Sequence, residues 1–277
     1  MHVSETNLPA LKLLASHRPL VIGHRGYCQF APENTVASFQ LALAAGADLV
    51  ELDYRHSKDD KLVVIHDPEL DRTTDSRHRW RRKRIKVASR TAAELHTLDA
   101  GSWFSSEYAG AKIPLLTEAL DAIQKSSVTL IERKAGDPAS CLKLLHDKHL
   151  INKVVIQSFD WAFLRACHEL EPVQILAALG PPVMLPDGRR PLRFHRDLSA
   201  RRLGQLQKSG AKIAVWNRNI SKRAVQRAHL HGLKVWVYTV NEARLVNRLL
   251  DKGVDGIITN NTSLVWRTIA LRGSLIS

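Results

Sequence analysis

The chain has 277 residues, 44% of them hydrophobic and 25% charged, and carries a formal net charge of +14. That apolar share supports a sizeable core and argues against disorder, and the length suits one α/β barrel domain or two small domains. No apolar run reaches the roughly 18–20 residues of a membrane span, and three widely spaced cysteines, Cys28, Cys141 and Cys167, give neither a disulfide framework nor a zinc knuckle.

Residues 1–19 have no basic leader and no long apolar stretch, so they read as an N-terminal extension of a cytoplasmic protein. From there, β-rich apolar runs alternate with amphipathic helical stretches. Strands are predicted at 20–24, 49–55, 128–133, 154–158, 174–178, 212–216, 234–239 and 256–259. Helices are predicted at 35–45, 138–148, 162–170, 199–209, 221–231, 242–252 and 264–271. Strand–helix alternation implies parallel strands with right-handed crossovers. Eight such units in roughly 250 residues predict an α/β fold, a (β/α)8 TIM-like barrel spanning 20–271. Continuous apolar strands such as Val154-Val155-Ile156 suit a sheet buried on both faces.

One interval breaks the rhythm. A short strand at 62–65 folds back on the second strand across Lys58-Asp59-Asp60-Lys61. Residues 67–114 then show little regular pattern, and a connection that long is usually functional. It reads as a subdomain inserted over the barrel mouth.

Side chains two apart on a strand face the same way. Glu51 and Asp53 therefore share one side of the second strand, and Glu132 and Lys134 one side of the third. Near the carboxyl ends of barrel strands, such groups reach the mouth where barrel enzymes keep their sites. Three converging carboxylates repel one another, and a divalent cation removes the repulsion. All-oxygen ligation suits Mg²⁺ or Ca²⁺ better than zinc. The competing reading pairs each acid with Arg25, Arg55 or Lys134 in a salt bridge. His24 ends the first strand, and His66 ends the hairpin strand just before Asp67. Two imidazoles with ordinary pKa values near 6.5 offer one base and one acid. Cleaving a phosphodiester needs both: a proton leaves the nucleophile and another reaches the departing alkoxide. Arg25 and Lys134 supply fixed positive charge for phosphoryl oxygens, and Gly26 lets the backbone turn sharply.

The ordered pieces resemble the glycerophosphodiester phosphodiesterase family from about Leu20 to Thr259. They are His24-Arg25-Gly26 with Pro32-Glu33-Asn34-Thr35, Glu51-Leu52-Asp53, His66-Asp67, and the run from Leu98 to Phe104. Ile113-Pro114, Ile131-Glu132 with Lys134, Gln157-Ser158-Phe159-Asp160, Tyr238-Thr239-Val240-Asn241 and the stretch from Asp255 to Thr259 complete the set. The resemblance implies a TIM-like barrel with an inserted subdomain. It implies cleavage of glycerophosphodiesters to glycerol 3-phosphate and an alcohol, with Mg²⁺ or Ca²⁺. Glu51, Asp53 and Glu132 correspond to the metal acids, and His24 and His66 to the acid–base pair, with the assignment between them open. In the mechanism proposed for the family, the neighbouring glycerol hydroxyl attacks phosphorus and water opens the cyclic phosphate; tethering favours that attack. The alternatives are a lysophospholipase D using the same site, with the apolar loop from Leu179 to Leu185 lining an acyl groove, and a catalytically idle anion-binding protein.

Three positions depart from the family pattern. Asp60 stands where glycine is usual at the hairpin tip. Asn260 stands where the last strand usually ends in Asp, which removes a negative charge. Tyr238 stands where Trp is common. Tyr238 and Phe159 are expected to contact the substrate or to fill the barrel top. Two basic segments account for most of the excess charge. Arg77 to Lys86 holds seven Lys or Arg and no acid, and Arg189 to Arg202 holds six Arg against Asp197. Both follow strand carboxyl ends. They are expected either to draw anionic substrates or an anionic membrane surface, with Trp80 as an interfacial ring, or to be solvated loops without a partner. No nucleic acid is expected, because the basic runs lack interleaved aromatic stacking platforms.

Overall fold

A computed structural model describes residues 9–191 and 198–273. In chain order the regular elements are α1 (Pro9–Leu14), β1 (Leu20–Gly23), α2 (Val36–Ala44), β2 (Leu49–His56), β3 (Leu62–Val64), α3 (Ser76–Trp80), α4 (Ala92–His96), α5 (Leu116–Ile123), β4 (Val128–Arg133) and α6 (Pro138–Asp147). There follow β5 (Val155–Ser158), α7 (Trp161–Leu170), β6 (Ile175–Gly180), α8 (Ala200–Gln207), β7 (Ile213–Asn217), α9 (Lys222–Leu230), β8 (Lys234–Tyr238), α10 (Ala243–Leu250), β9 (Gly256–Thr259) and α11 (Thr262–Gly273).

The strands hydrogen-bond in the order β1-β9-β8-β7-β6-β5-β4-β2-β3, and β1 also pairs with β2, which closes the sheet. Eight strands form the parallel barrel of a (β/α)8 fold. The ninth, β3, is the antiparallel hairpin partner of β2, with Tyr54 opposite Val64 and His56 opposite Leu62.

Two compact units divide the chain. One comprises residues 23–136 and 260–262. In it β2 and β4 run in parallel register, with Glu51 opposite Leu130 and Asp53 opposite Glu132. The loop after β3 encloses a small apolar core of its own, including Leu70, Ile85, Val87, Leu95 and Leu98. The other unit is drawn from residues up to 22, 137–259 and 263 onward. It holds β5 to β9, each paired in parallel with the next. Its largest buried side chains are Trp161, Trp216 and Trp236, and the Trp161 indole N–H donates to the Leu179 carbonyl at 2.8 Å.

The structure adds elements that periodicity does not reveal. Residues 67–114 carry two five-residue helices, α3 and α4, too short for a 3.6-residue repeat to register. Even so, α4 begins with a capping box in which Thr91 and Glu94 satisfy each other's backbone N–H groups. Asp99 pins the far part of this loop. It accepts from the backbone N–H of Gly101 at 2.8 Å, Ser102 at 2.9 Å and Gly110 at 2.9 Å, and from the Ser102 hydroxyl at 2.6 Å. Helix α5, also unanticipated, packs against α2 and β3. At the hairpin tip Asp60 adopts a left-handed φ of 55°. Asp is among the non-glycine residues that best tolerate this region, so it can stand where the family usually has glycine. Cys141 and Cys167 are buried, and burial pushes the Cys28 thiol up to about 12. Among the described residues no helix is long and apolar enough to cross a membrane.

Candidate active site

Strand β1 stops at Gly23, one residue short of the predicted end, and His24 opens the following turn. A Cβ at Gly23 would sit 2.9 Å from the Gly26 carbonyl oxygen, and one at Gly26 would sit 2.6 Å from the Ser38 backbone. Arg25 and Gly26 both take positive φ, 52° and 83°. The chain thus doubles back tightly behind His24. The fold is secured where the Arg25 carbonyl accepts from the Asn34 backbone N–H at 3.1 Å and the Ser38 hydroxyl at 2.9 Å.

This turn aims Arg25 at the carboxylates of β2. Its backbone N–H donates to Glu51 Oε2 at 2.8 Å, its Nη1 donates to Glu33 Oε1 at 2.8 Å, and its Nε lies 3.2 Å from Asp53 Oδ2. Asn34, at a φ of 58°, makes two bonds to Asp53: its amide donates to Oδ2 at 2.8 Å, and its carbonyl oxygen accepts the Asp53 backbone N–H at 3.1 Å.

Glu51, Asp53 and Glu132 come together as the strand register dictates. Each is buried, and their ligand oxygens lie within 4.8 Å of one another. Lys134 is ion-paired with Glu132 and lies 3.2 Å from Asp53 Oδ1. Both sequence readings of the trio therefore hold in part, since Arg25 and Lys134 flank the acids without dispersing them. Arg55 is not a partner; its Nε donates to the His66 carbonyl at 2.8 Å. Burial, then Asp53 and Glu132, push the Glu51 carboxyl well above its ordinary range. Burial, then Asp53, push Glu132 up to about 7. Burial acts on Asp53 in the same direction, but Lys134 and Arg25 outweigh it and hold that carboxyl below its ordinary value. Asp53 Oδ1 is buried with the Lys134 ammonium 3.2 Å away. Three converging carboxylates offer an all-oxygen donor set of the kind that suits a small hard cation.

His66 follows β3 and is placed by the hairpin, through the Ile65 N–H to the Asp53 carbonyl at 3.0 Å. Its Nδ1 lies 2.6 Å from Asp67 Oδ1, and Asp67 Oδ2 accepts from Arg72 Nε at 2.6 Å. Arg72 also grips Glu33 through both terminal nitrogens, at 2.7 and 2.8 Å. A chain of charged pairs thus runs from His66 through Asp67, Arg72 and Glu33 to Arg25. Desolvation raises the Asp67 carboxyl, but the Arg72 and His66 hydrogen bonds prevail and hold it at about 2. His24 has a different partner. Its Nδ1 lies 2.7 Å from Asn260 Oδ1, so Nδ1 carries the proton and Nε2 keeps a lone pair. Neither imidazole has the ordinary pKa expected. Burial, then the Arg25 charge, lower His24 to about 4, and burial also lowers His66. Asp53 opposes the shift in both rings, so its charge is felt at each.

Phe159 and Tyr238 belong to the other unit. Their rings meet edge to face with centroids 5.9 Å apart, and the Tyr238 hydroxyl donates to the Gly180 carbonyl at 2.8 Å. Tyr238 lines a 610 Å³ cavity together with Pro181, Trp216 and Ile220. Trp80 is partly buried. It packs against the core of the inserted loop with the Arg90 guanidinium 4.4 Å above it. Glu33, Asn34, Arg72 and Asn260 were not read as site residues. Glu33 and Asn34 lie inside a motif already noted, whereas Arg72 could be placed only through its fold contacts.

A family model described as "Glycerophosphoryl diester phosphodiesterase family" matches residues 24–264. The chain belongs to this family. Its members carry out phosphoric diester hydrolysis, and the chain is an enzyme of that class. A glycerophosphodiester phosphodiesterase of Bacillus subtilis (strain 168) is 33% identical over 271 residues, covering 91% of this chain and 87% of that protein. One from Caldanaerobacter subterraneus subsp. tengcongensis is 31% identical over 251 residues, covering 88% and 95%. Among solved structures, an Oleispira antarctica phosphodiesterase in complex with the product sn-glycerol-3-phosphate superposes with a TM-score of 0.79 at 26% identity, covering 93% of this chain and 99% of that one. The fold predicted from the sequence is the fold of this family.

Proposed function

We propose that this family member hydrolyses glycerophosphodiesters to glycerol 3-phosphate and an alcohol at the centre formed by His24, His66, Glu51, Asp53 and Glu132. The observation that carries the reading is the trio of buried carboxylates converging where the Asp53 charge reaches both imidazoles. Glu51, Asp53 and Glu132 would hold a divalent cation, Mg²⁺ or Ca²⁺ by their all-oxygen donor set. Bound there, the cation supplies Lewis-acid polarisation of the phosphoryl oxygens.

The residues divide the remaining work. His24, neutral and with its Nε2 lone pair free, takes the proton from the glycerol hydroxyl as it attacks phosphorus and forms a cyclic phosphate; water then opens that ring to glycerol 3-phosphate, giving a proton to His66 while His24 returns its proton to the glycerol oxygen released. His66 delivers a proton to the leaving alkoxide, because Asp67 stabilises its imidazolium where His24 has only a neutral amide. Arg25 and Lys134 balance the developing phosphoryl charge. Arg72 positions Asp67, and through it the His66 ring. Phe159 and Tyr238 are assigned to the substrate on the strength of their paired rings at the ends of β5 and β8. Residues 20–271 form the catalytic domain in this reading, with 67–114 as its insertion, and its setting is cytoplasmic.

The test is a panel assay following released glycerol 3-phosphate, with chelator and cation add-back. Turnover of glycerophosphocholine supports the reading. Turnover confined to lysophosphatidylcholine would replace it with lysophospholipase D action.

Asn260 gives a pH prediction. As a base, His24 must be neutral, so the acid limb of kcat/KM follows its lowered pKa, about 4. In N260D a carboxylate would face Nδ1 and favour the imidazolium. The limb is expected to move to higher pH, and activity near pH 5 to fall roughly tenfold or more. An unmoved limb would remove His24 from the role of base.

The basic segment from Arg77 to Lys86 is exposed. Among the described residues Arg79, Arg81, Arg82, Lys83 and Lys86 pair with no acid, while Arg77 and Arg84 are matched by Asp71 and Glu69. We infer that this segment draws an anionic membrane surface by charge alone, at roughly 1 kcal/mol per residue. Vesicle sedimentation at low salt is expected to favour anionic over neutral lipid; equal binding would sink the idea. The other basic segment, Arg189 to Arg202, is described only in part, with Arg193, Arg196 and Asp197 outside the described residues.

A further inference from the structure

The His66 ring has a single side-chain bond among the described residues, from Nδ1 to Asp67. Its fixity therefore depends on what holds Asp67. The His66 and Asp67 side chains are 30% and 26% exposed, Arg72 is 44% exposed, and Glu33 only 13%. The best-shielded anchor is thus the member farthest from the ring. Exposed ion pairs taken singly hold little, because water screens them and long side chains resist being fixed. A lone bond from Nε to Asp67 would leave the flexible Arg72 free to swing. Glu33 prevents this by taking both terminal nitrogens, at 2.7 and 2.8 Å, and a guanidinium gripped in pairs has a defined plane.

Glu33 is itself fixed from its other side. It precedes Asn34, whose backbone N–H donates to the Arg25 carbonyl at 3.1 Å and whose side chain makes two bonds to Asp53. Glu33 Oε1 accepts from Arg25 Nη1 at 2.8 Å as well as from Arg72 Nη2 at 2.8 Å. One carboxylate thus receives bonds from two guanidinium groups. Burial raises the Glu33 carboxyl, but Arg72 and Arg25 prevail and hold it below its ordinary value, so it is ionised at neutral pH. Arg72 in turn spends all three nitrogens on acids, Nε on Asp67 and both terminal ones on Glu33. That occupation makes it a brace rather than a ligand for phosphate. All of these residues lie in the unit that contains β2 to β4.

We propose that Glu33 is a positioning residue for the leaving-group proton: it fixes Arg72, Arg72 fixes Asp67, and Asp67 fixes the His66 ring. This rests on the hydrolase reading above, with His66 as the acid. In that step the bond from phosphorus to the alcohol oxygen breaks and its electron pair stays on oxygen. The oxygen takes the proton from His66 Nε2, while the Nδ1 proton remains with the pair that His66 forms with Asp67. Such a transfer needs heavy atoms about 2.6–3.2 Å apart, so a ring free to swing loses it.

Two substrates test the proposal: glycerophosphocholine, whose alkoxide needs a proton, and the p-nitrophenyl ester of glycerol 3-phosphate, whose phenolate leaves without one. Release of the alcohol is followed in a single turnover with excess enzyme and cation present, so that only the first step is read. Glu33→Gln is expected to slow glycerophosphocholine roughly tenfold to hundredfold, as a misplacement of about 1 Å does, and to leave the aryl ester at the wild-type rate. Arg72→Gln is expected to show the same selectivity. The double variant should be no slower than the slower single one, because both break one brace. Glu33→Asp keeps the charge and should regain part of the rate. Should Glu33→Gln fail to fold, Arg72→Gln and Glu33→Asp decide in its place. Equal losses on both substrates overturn the proposal, since that pattern belongs to Arg25 or to a damaged fold. Unchanged rates overturn it too, as do losses that multiply in the double variant. His66→Ala separates the two levels. If the aryl ester rescues it while Glu33→Gln shows no selectivity, this proposal alone falls. If the aryl ester does not rescue it, the assignment of His66 as acid falls and the proposal with it.

Discussion

His24→Ala is expected to lower kcat by about 10²–10⁴-fold, the range typical for loss of a general base, with little change in melting temperature. The imidazole sits in a turn whose shape depends on Arg25, Gly26 and Ser38, not on the ring itself. Its neutral state is set by burial and by the Arg25 charge, and Asn260 holds its Nδ1 so that Nε2 faces the reaction. His66→Ala is expected to cost a similar factor, for a different reason. Removing it strands Asp67 with Arg72 and takes away the proposed proton donor to the leaving group. The two losses should be distinguishable with an activated leaving group. A substrate whose alcohol is already acidic needs no proton on departure, so it should rescue His66→Ala and not His24→Ala. Steady-state rates on both substrates make the check. Equal rescue of the two variants would contradict the assignment of base and acid.

The second large effect concerns the carboxylates. In chelator, folded Glu132 keeps its proton up to about pH 7, whereas an ordinary glutamate releases it near 4.5. The native state therefore binds more protons than the unfolded state between those values. Its stability is fully present below the unfolded pKa and is lost as pH rises through the folded one. Glu132→Gln cannot ionise and escapes this loss. Without cation, the variant is expected to melt close to wild type near roughly pH 5 and above it near roughly pH 8. The lowered histidines contribute with the opposite sign, but they are common to both proteins and cancel in the difference. Saturating cation should invert the order. A ligand at a hundredfold its Kd stabilises the native state by about 2.7 kcal/mol, several degrees for a chain of this size, and Gln offers a poorer oxygen. Turnover should fall by roughly 10²-fold or more when the cation is removed, from the several kcal/mol such a charge supplies. Melting curves across pH, with and without chelator, decide the stability claim. A difference between the two proteins that does not change with pH would contradict it.

Much of this site was legible because strand periodicity is rigid. Alternation on β2 and β4 required Glu51 and Asp53 to share a face and brought Glu132 beside Asp53. The β2–β3 hairpin required His66 to return toward Asp53. What could not be read was the response of these groups to burial. Both histidines look ordinary in one dimension, yet desolvation moves each downward. The loss of charge at Asn260 had no visible consequence until its carbonyl oxygen met the His24 ring. The helices of the insertion escaped notice because five residues make barely more than one turn, and because contacts among distant apolar residues such as Leu70 and Leu98 hold that loop. The contacts of Trp80 were likewise not legible: in sequence it stands within a basic run, and only the folded loop brings it against Ile85, Leu95 and their neighbours with Arg90 across its face.

The most direct test titrates Mg²⁺ or Ca²⁺ into the chelator-treated, dialysed full chain by calorimetry, assaying glycerol 3-phosphate release in the same samples. The expected result is one cation per chain at this centre, turnover rising in proportion to its occupancy, and both lost in Asp53→Asn. Full turnover by a chain that binds no cation, or tight binding that survives Asp53→Asn, would contradict the arrangement of acids and imidazoles described above.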